Sequence, residues 1–178
     1  MEYNLLATTD KITMGAASSQ LWMNLRAVGD PEPKVNKSRI KGIIQGYTTL
    51  DPVEAILQLR ARMMAEPERY DKLFRVMPVL SWVDTTIEAI VAEVDAQKAK
   101  MGEGETFRVT LEKRKTELRS LEIIDPIAGA IDNVVNLEEP DWVVLIEIMG
   151  DKTGVSIIPA EAMLNVQKEC VGLSSKTD

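Results

Sequence analysis

Two short runs of basic residues are the side chains whose types and spacing best suit a chemical task. The first run, 34–41, contains four basic residues and no acidic one; the second, 108–119, contains five basic residues and two acidic ones. Lys and Arg at a strand entry or a strand exit project from a rigid frame, where they can contact phosphate groups. The sequence allows two interpretations: one phosphate-contacting surface, or solvated decoration of two loops.

The side chains that most kinds of enzymatic catalysis require are absent from this sequence. The chain contains no histidine and a single cysteine, which excludes His-based triads, His–Cys dyads, HExxH zinc sites and thiolate-rich metal sites. Cys170 lies near the end of the chain with no histidine to activate it, so we do not expect a nucleophile there. The acidic pair Glu138 and Glu139 is interpreted as a solvated turn rather than a metal site. We therefore predict no catalytic residue, no cofactor and no metal.

The composition restricts which classes of function remain for this protein. The 178 residues include 28 acidic and 21 basic side chains, and the net charge of −7 opposes bulk affinity for nucleic acids. The charge is uneven, because residues 1–83 carry 11 basic and 9 acidic side chains whereas 84–178 carry 10 and 19. One cysteine, no signal peptide and no apolar run of about 20 residues together predict a cytoplasmic protein without a membrane segment.

Hydrophobic periodicity and turn residues divide the chain into two α/β halves. In the first half, Gly29 ends a helix and 31–38 is a loop, while Asp51 and Pro52 begin a second helix. The pattern β-α-β-α-β therefore covers 1–82, with strands at 3–8, 40–48 and 73–83.

The second half, 83–165, is predicted to follow the pattern α-β-α-β-β. Asp84, Thr85 and Thr86 cap the first helix. Strict alternation indicates a half-buried strand at 106–111, and an apolar stripe indicates a helix through residue 135. The strands 142–148 and 155–158 form a hairpin. The remainder, 166–178, is a C-terminal tail that we expect to be disordered from Ser174 onward.

The second half also carries a family resemblance. The segments "ETFRVTLEKRKTEL" and "AIDNVVNLEEPDWVVLIEIMGDKTGVSII" resemble a THUMP domain over residues 84–160. The resembling features are a strand before a basic segment, the transition from Val135 through Leu137 to Pro140, and the closing hairpin. This family consists of α/β RNA-binding modules found in enzymes and partners of tRNA modification.

The first half resembles the N-terminal ferredoxin-like region of stand-alone archaeal THUMP proteins. The segments "YNLLATTD", "IKGIIQGYTTLDPVEAILQLR" and "FRVMPVLSWVDTT" carry this resemblance. Such proteins are similar to the eukaryotic adaptor that helps an acetyltransferase to make N4-acetylcytidine on tRNA. The expected fold is therefore α/β (α+β), with a ferredoxin-like domain at 1–82 and a THUMP domain at 83–165.

The resemblance implies contacts with tRNA through phosphates and shape rather than base sequence. The first candidates are the cluster Lys113, Arg114 and Lys115, which follows a half-buried strand. Arg108 lies on the outer face of that strand, where it contacts RNA or pairs with Glu112. In the first half, Arg75 either bridges the two domains or contacts RNA. The remaining candidates there are Lys37, Arg39, Lys41 and, more weakly, Lys11. Trp82 and Trp142 are assigned to core packing rather than to base stacking.

The leading hypothesis is a non-catalytic tRNA-binding protein that presents tRNA to a modifying enzyme, an RNA cytidine acetyltransferase. The catalytic signatures of other THUMP proteins, a Gly-rich cofactor loop, a PP-loop and a zinc-binding deaminase motif, do not occur in this sequence, and we expect no enzymatic activity. The alternative hypothesis is a protein-interaction or regulatory α/β module without an RNA role, which the net charge of −7 favours.

Overall fold

The computed structural model describes residues 3–174 and divides them into two units. The first unit contains residues 3–78 and also 161–174, and the second contains 79–160. The division thus lies at Pro78, a few residues before the predicted boundary at 82, and the chain returns to the first unit after the second is complete. Among the helices of residues 3–174, none combines the length and the apolar character needed to span a bilayer.

The first unit is a five-stranded sheet with three helices. Its elements are β1 (Leu5–Thr8), α1 (Met14–Ala27), β2 (Lys34–Lys37), β3 (Ile43–Tyr47), α2 (Pro52–Ala65), a 3-10 turn (Pro67–Tyr70), β4 (Arg75–Pro78), a 3-10 turn (Ala160–Ala162), β10 (Leu164–Asn165) and α5 (Val166–Ser174). The strand order is β10-β4-β1-β3-β2, and every pair is antiparallel. The order β4-β1-β3-β2, with one helix after β1 and one after β3, is the ferredoxin-like arrangement.

Local signals in the sequence explain the helices of this unit. Helix α1 ends where Gly29 adopts a φ of 103°, a left-handed conformation that glycine tolerates. Helix α2 begins with Pro52 in its first turn, and the Asp51 side chain accepts a hydrogen bond of 2.9 Å from the Glu54 N–H. The two helices bury Leu21, Leu25, Ile56 and Leu59 against sheet residues that include Ile44. This apolar core fixes the ends of the strands, where the connecting loops begin.

The second unit is a separate five-stranded sheet with two helices. Its elements are β5 (Ser81–Asp84), α3 (Ile87–Gln97), a 3-10 turn (Lys98–Lys100), β6 (Thr106–Arg114), α4 (Ser120–Gly129), β7 (Val134–Val135), β8 (Trp142–Met149) and β9 (Lys152–Pro159). The strand order is β5-β9-β8-β6-β7, and β6 runs parallel to both β7 and β8. The Thr86 hydroxyl caps α3 by accepting from the Ala89 N–H at 3.1 Å. Side chains of α3, α4, β8 and β9 share one apolar core, which contains Ile90, Ile127, Ile146 and Ile157.

Two predictions about the first half are corrected by the structure. The segment 31–38, predicted as a loop, contains strand β2, whose exposed, polar sequence at the sheet edge shows no apolar alternation. The predicted strand at 73–83 is two strands, β4 and β5, which belong to different sheets. A continuous apolar run does not reveal that the chain changes sheets within it.

Two further corrections concern the second half and the tail. The helix predicted through residue 135 ends at Gly129, and Val134 and Val135 form strand β7 with both side chains exposed. The segment predicted as a tail, 166–178, begins with helix α5, and Val166 is buried in the first core. Residues 175–178, the greater part of the segment expected to be disordered, lie outside the described residues.

Candidate nucleic-acid interface

Basic side chains from three segments of the chain lie at one end of the first sheet. At this end β1 and β2 finish while β3 and β4 begin, because Thr8 lies opposite Ile43 and Arg75, and Lys37 lies opposite Ile44. Two acidic residues, Asp10 and Asp71, also lie there. The basic residues at this end, which we call the basic end, are Lys11, Lys37, Arg39, Lys41, Lys72 and Arg75.

Hydrogen bonds between backbone segments hold the loops of the basic end together. The Thr9 N–H donates to the Gly42 carbonyl at 3.0 Å, and the Thr9 hydroxyl donates to the Lys72 carbonyl. Gly42 has a φ of 85°, and a Cβ atom added there would lie 3.0 Å from the Thr9 carbonyl oxygen. This close approach requires glycine, and it sets Lys41 beside the segment that carries Lys11.

The charges at the basic end favour the binding of an anion. Lys37, Arg39 and Lys41 are exposed, and within residues 3–174 none of the three forms an ion pair with a described acidic side chain. Helix α1 begins at the same end, with no acidic residue in its first turn and no side-chain cap from Thr13. The partial positive charge of that helix start adds to the field of the lysines.

A depression of about 470 Å³ opens at the basic end. Its lining consists of Thr9, Asp10, Lys11, Ile12 and Phe74. The Ile12 side chain is 92% exposed, while Phe74 is half-buried. An aromatic ring and an apolar side chain next to lysine suit an unstacked base better than a duplex groove. Sequence reasoning missed Lys72 and Phe74, because only strand register brings them beside Lys11.

The second predicted surface, which we call the β6 strip, is Arg108, Lys113, Arg114 and Lys115. These residues lie along β6 or directly after it, but three of the four side chains are engaged within the unit. Arg108 donates to the Leu137 carbonyl at 3.0 Å, and Lys113 donates to the Leu118 carbonyl at 3.1 Å. Lys115 is exposed in a turn with a φ of 58°, and no hydrogen bond or ion pair of its side chain occurs within residues 3–174. Lys115 is therefore the member of the strip best placed to meet a ligand.

Arg114 serves the fold of the second unit. Its guanidinium lies 2.6 Å from a carboxylate oxygen of Glu147, a residue of the central strand β8 that is 1% exposed. Burial of a carboxylate is costly unless a cation and hydrogen bonds compensate it. The side chain of Arg114 is only 16% exposed, so its first role is to neutralise Glu147.

The two units differ in the sign of their net charge. Residues 79–160 carry 8 basic and 16 acidic side chains, a net charge of −8, whereas the first unit, residues 3–78 with 161–174, carries 12 basic and 10 acidic side chains, a net charge of +2. The predicted candidates Arg75, Lys37, Arg39 and Lys41 all belong to the first unit, at the basic end. The β6 strip belongs to the acidic unit. A polyanion would meet its most favourable field at the first unit.

The two tryptophans considered for base stacking and the single cysteine pack against other residues of the fold. Trp142 is partly buried against the core of the second unit, and the ring of Trp82 lies beside Gly154 of the same unit. Cys170 packs against the core of the first unit. Burial, together with the neighbouring Glu169 carboxylate, raises the pKa of the Cys170 thiol, so the thiol is protonated at neutral pH.

The family of the second unit follows from comparison with known proteins. Residues 84–158 match the model of the THUMP domain. The chain contains a THUMP domain. The match covers most of the second unit, including the whole β6 strip and strands β8 and β9 up to Ile158.

Individual proteins are similar to this chain over a longer stretch than the THUMP model matches. An uncharacterized protein of Methanocaldococcus jannaschii is 31% identical over 129 residues, which is 70% of this chain and 35% of that protein. A crystal structure from Pyrococcus horikoshii is similar with a TM-score of 0.60 at 22% identity, covering 89% of this chain and 55% of that one.

Two solved structures of named proteins have the same fold. TrmN from Thermus thermophilus has a TM-score of 0.58 at 17% identity, covering 88% of this chain and 45% of that chain. A 4-thiouridine synthetase, crystallised with RNA and ATP, has a TM-score of 0.52 at 14% identity, covering 92% of this chain and 42% of that one. The similarity in each case extends over the ferredoxin-like unit as well as the THUMP domain. This chain spans about a third of the curated relative and about half of the solved chains.

Proposed function

We propose that this chain is a non-catalytic tRNA-binding protein that acts in tRNA modification. The observation that carries the proposal is a THUMP domain joined to a ferredoxin-like unit with a basic end. The same two-part fold occurs in a 4-thiouridine synthetase whose structure contains RNA. Binding is electrostatic in origin, since lysines that neutralise phosphates release counterions from the nucleic acid.

The basic end is the part of the surface that supports this function best. Lys37, Arg39 and Lys41 contact the sugar-phosphate backbone, which positions the RNA without reading its sequence. The depression beside Lys11 receives an unpaired nucleotide, with its base against Phe74. Lys115 makes a secondary contact from the THUMP domain. The acidic remainder of that domain repels RNA.

The partner in this proposal is an RNA cytidine acetyltransferase, to which the chain presents tRNA in the cytoplasm. The support is the resemblance of both halves to stand-alone archaeal THUMP proteins and to the eukaryotic adaptor for N4-acetylcytidine. A purified acetyltransferase with tRNA tests this role, with N4-acetylcytidine as the readout. The chain should raise the yield, and it should form no product without the enzyme. An unchanged yield would refute the adaptor role, and product from the chain alone would refute the non-catalytic assignment.

The tRNA contact itself is tested by two lysines of one strand. Lys34 and Lys37 are both exposed residues of β2, but Lys34 lies opposite Tyr47, about 10 Å along the strand from the basic end. Lys37→Glu should weaken tRNA binding about tenfold in a gel-shift titration, because it places a negative charge beside a phosphate. Lys34→Glu is the matched control and should change the dissociation constant much less. Equal effects of the two variants would contradict contact at the basic end.

A second candidate function is a protein-interaction module without an RNA role. The observation that favours it is the net charge of −8 on the second unit. The same titration distinguishes the two functions, because this alternative predicts no tRNA binding even at about 50 mM salt.

A further inference from the structure

An exposed apolar edge closes one side of the second sheet. Strand β7 is the outermost strand there, and three apolar side chains lie within four consecutive residues. Val134 is 70% exposed, Val135 is 50% exposed and Leu137 is 68% exposed. Exposed apolar edge strands promote pairing with other chains, and proteins usually cover or charge them. We call Val134, Val135 and Leu137 the β7 edge.

Hydrogen bonds fix the backbone on both sides of the β7 edge. The Asn133 side-chain amide donates to the carbonyls of Gly102 and Glu105 at 2.9 and 3.0 Å. The Asn136 side-chain oxygen accepts from the N–H groups of Glu138 and Glu139 at 3.1 and 3.0 Å. The apolar side chains are therefore held outward by a defined turn.

The backbone of the β7 edge is oriented to accept another strand. The Asn136 N–H donates to the Phe107 carbonyl of β6 at 2.9 Å. By the alternation of a strand, the N–H and C=O of Val135 then face away from β6. An added strand would pair with these groups while its side chains met Val135 and Leu137, which share one face by the same alternation, as in β-augmentation.

The charges around the β7 edge select the kind of strand. Asp132, Glu138 and Glu139 flank it, are exposed, and have no ion-pair partner within the described part of the chain, residues 3–174. Arg108 of the neighbouring strand β6 already donates to the Leu137 carbonyl of this turn. Three carboxylates repel a phosphate backbone and attract lysine and arginine.

We propose that the β7 edge docks an extended, basic segment of a partner protein, which adds to the second sheet as a further strand. Apolar side chains of that segment cover Val135 and Leu137, and its basic side chains pair with Asp132, Glu138 and Glu139. The inference goes beyond the proposed function and does not depend on tRNA binding, because it concerns the acidic surface of the other unit.

Synthetic peptides and a matched pair of leucines test the proposal. The probe is a peptide of about eight residues that alternates Lys with Val. Its controls have the same composition in two blocks, or Glu in place of Lys. Leu137 and Leu121 are both 68% exposed in the second unit, but Leu121 lies on α4, away from the β7 edge. With the full chain, the alternating peptide should bind, both control peptides should bind at least tenfold more weakly, and bound peptide should slow amide exchange at Val135.

Two leucine variants test whether the peptide binds at the β7 edge. Leu137→Asp should weaken binding of the alternating peptide at least tenfold, and Leu121→Asp should leave it unchanged. Three results would overturn the proposal: no binding of the alternating peptide, equal binding by both leucine variants, or a loss of tRNA affinity in Leu137→Asp with peptide binding intact. The last result would assign the β7 edge to RNA.

Discussion

Two arginine side chains of this protein differ in their surroundings, because one contacts a buried acid and the other is exposed. Arg114 covers the buried carboxylate of Glu147 at 2.6 Å, so its charge balances a charge inside the fold. Arg39, in contrast, is exposed in a loop of the basic end. A basic residue identified from sequence is therefore available to a ligand only when no interior acid needs it.

Arg114 provides the test at the residue scale. Arg114→Met keeps the aliphatic bulk but removes the cation from Glu147, and we expect the free energy of unfolding to fall by about 3 kcal/mol. Lys115→Met, at the exposed neighbour, should change it by less than about 0.5 kcal/mol. Urea denaturation monitored by circular dichroism measures both. A similar small effect of the two substitutions would show that the ion pair does not stabilise the unit.

The elements of the fold were predictable where local chemistry determines them. The caps Asp51 and Thr86 start α2 and α3 as predicted, and the left-handed Gly29 ends the first helix. Strands β2 and β7 were not predictable, because a partner strand rather than an apolar pattern creates them. Helix α4 stops at Gly129 although apolar residues continue at helical spacing, since the following chain pairs with β6 instead.

Asp30 links two loops of the first unit and makes its stability depend on pH. Its carboxylate accepts hydrogen bonds from the hydroxyls of Thr48 and Thr49, each at 2.6 Å. Burial opposes ionisation, but these bonds and those from the N–H groups of Glu32 and Thr49 outweigh it, so the pKa of Asp30 lies below its ordinary value of 3.8. The stabilisation is therefore complete above that value and is lost as the pH falls through the lower folded-state pKa.

The Asp30 network gives a prediction with a defined sign. Asp30→Asn should lower the free energy of unfolding by about 2 kcal/mol at pH 7, because charge-assisted hydrogen bonds are lost. The difference from the wild type should shrink as the pH falls below about 4. Asp132→Asn, at an exposed carboxylate, is the control and should have little effect at either pH. A difference that is constant with pH would contradict the assigned role of the Asp30 charge.

Gly154 tests the packing of strand β5 on β9. A Cβ atom at Gly154 would lie 2.9 Å from Val79 Cγ1 and 3.5 Å from the Trp82 ring. Gly154→Ala should therefore destabilise the protein by about 1–3 kcal/mol in thermal or urea unfolding. Gly129→Ala, where nothing lies within 4 Å of the added atom, should be neutral or slightly stabilising. The packing assignment fails if the two alanine variants are equally stable.

At the scale of the whole molecule, the net charge of −7 conceals two units of opposite sign. The sequence proposed Lys37, Arg39 and Lys41 as RNA-contact candidates, which stays a prediction, and the structure places all three exposed at the basic end. The sequence did not show that Lys72 and Phe74 join them, because that depends on the antiparallel register of β1, β3 and β4. It also ranked the β6 strip first, since the pairing of Arg114 with Glu147 is invisible without the parallel register of β6 and β8.

The salt dependence of tRNA affinity tests the central claim most directly, because each phosphate contact contributes to the slope of log Kd against log salt concentration. The wild type is compared with two double variants, Lys37→Glu/Lys41→Glu at the basic end and Lys113→Glu/Lys115→Glu on the β6 strip. We expect the basic-end variant to lose more affinity and to reduce the slope by about two contacts, with a smaller change in the other. A larger loss in the β6 variant, or no tRNA binding by the wild type at low salt, would contradict the assignment of tRNA binding to the basic end.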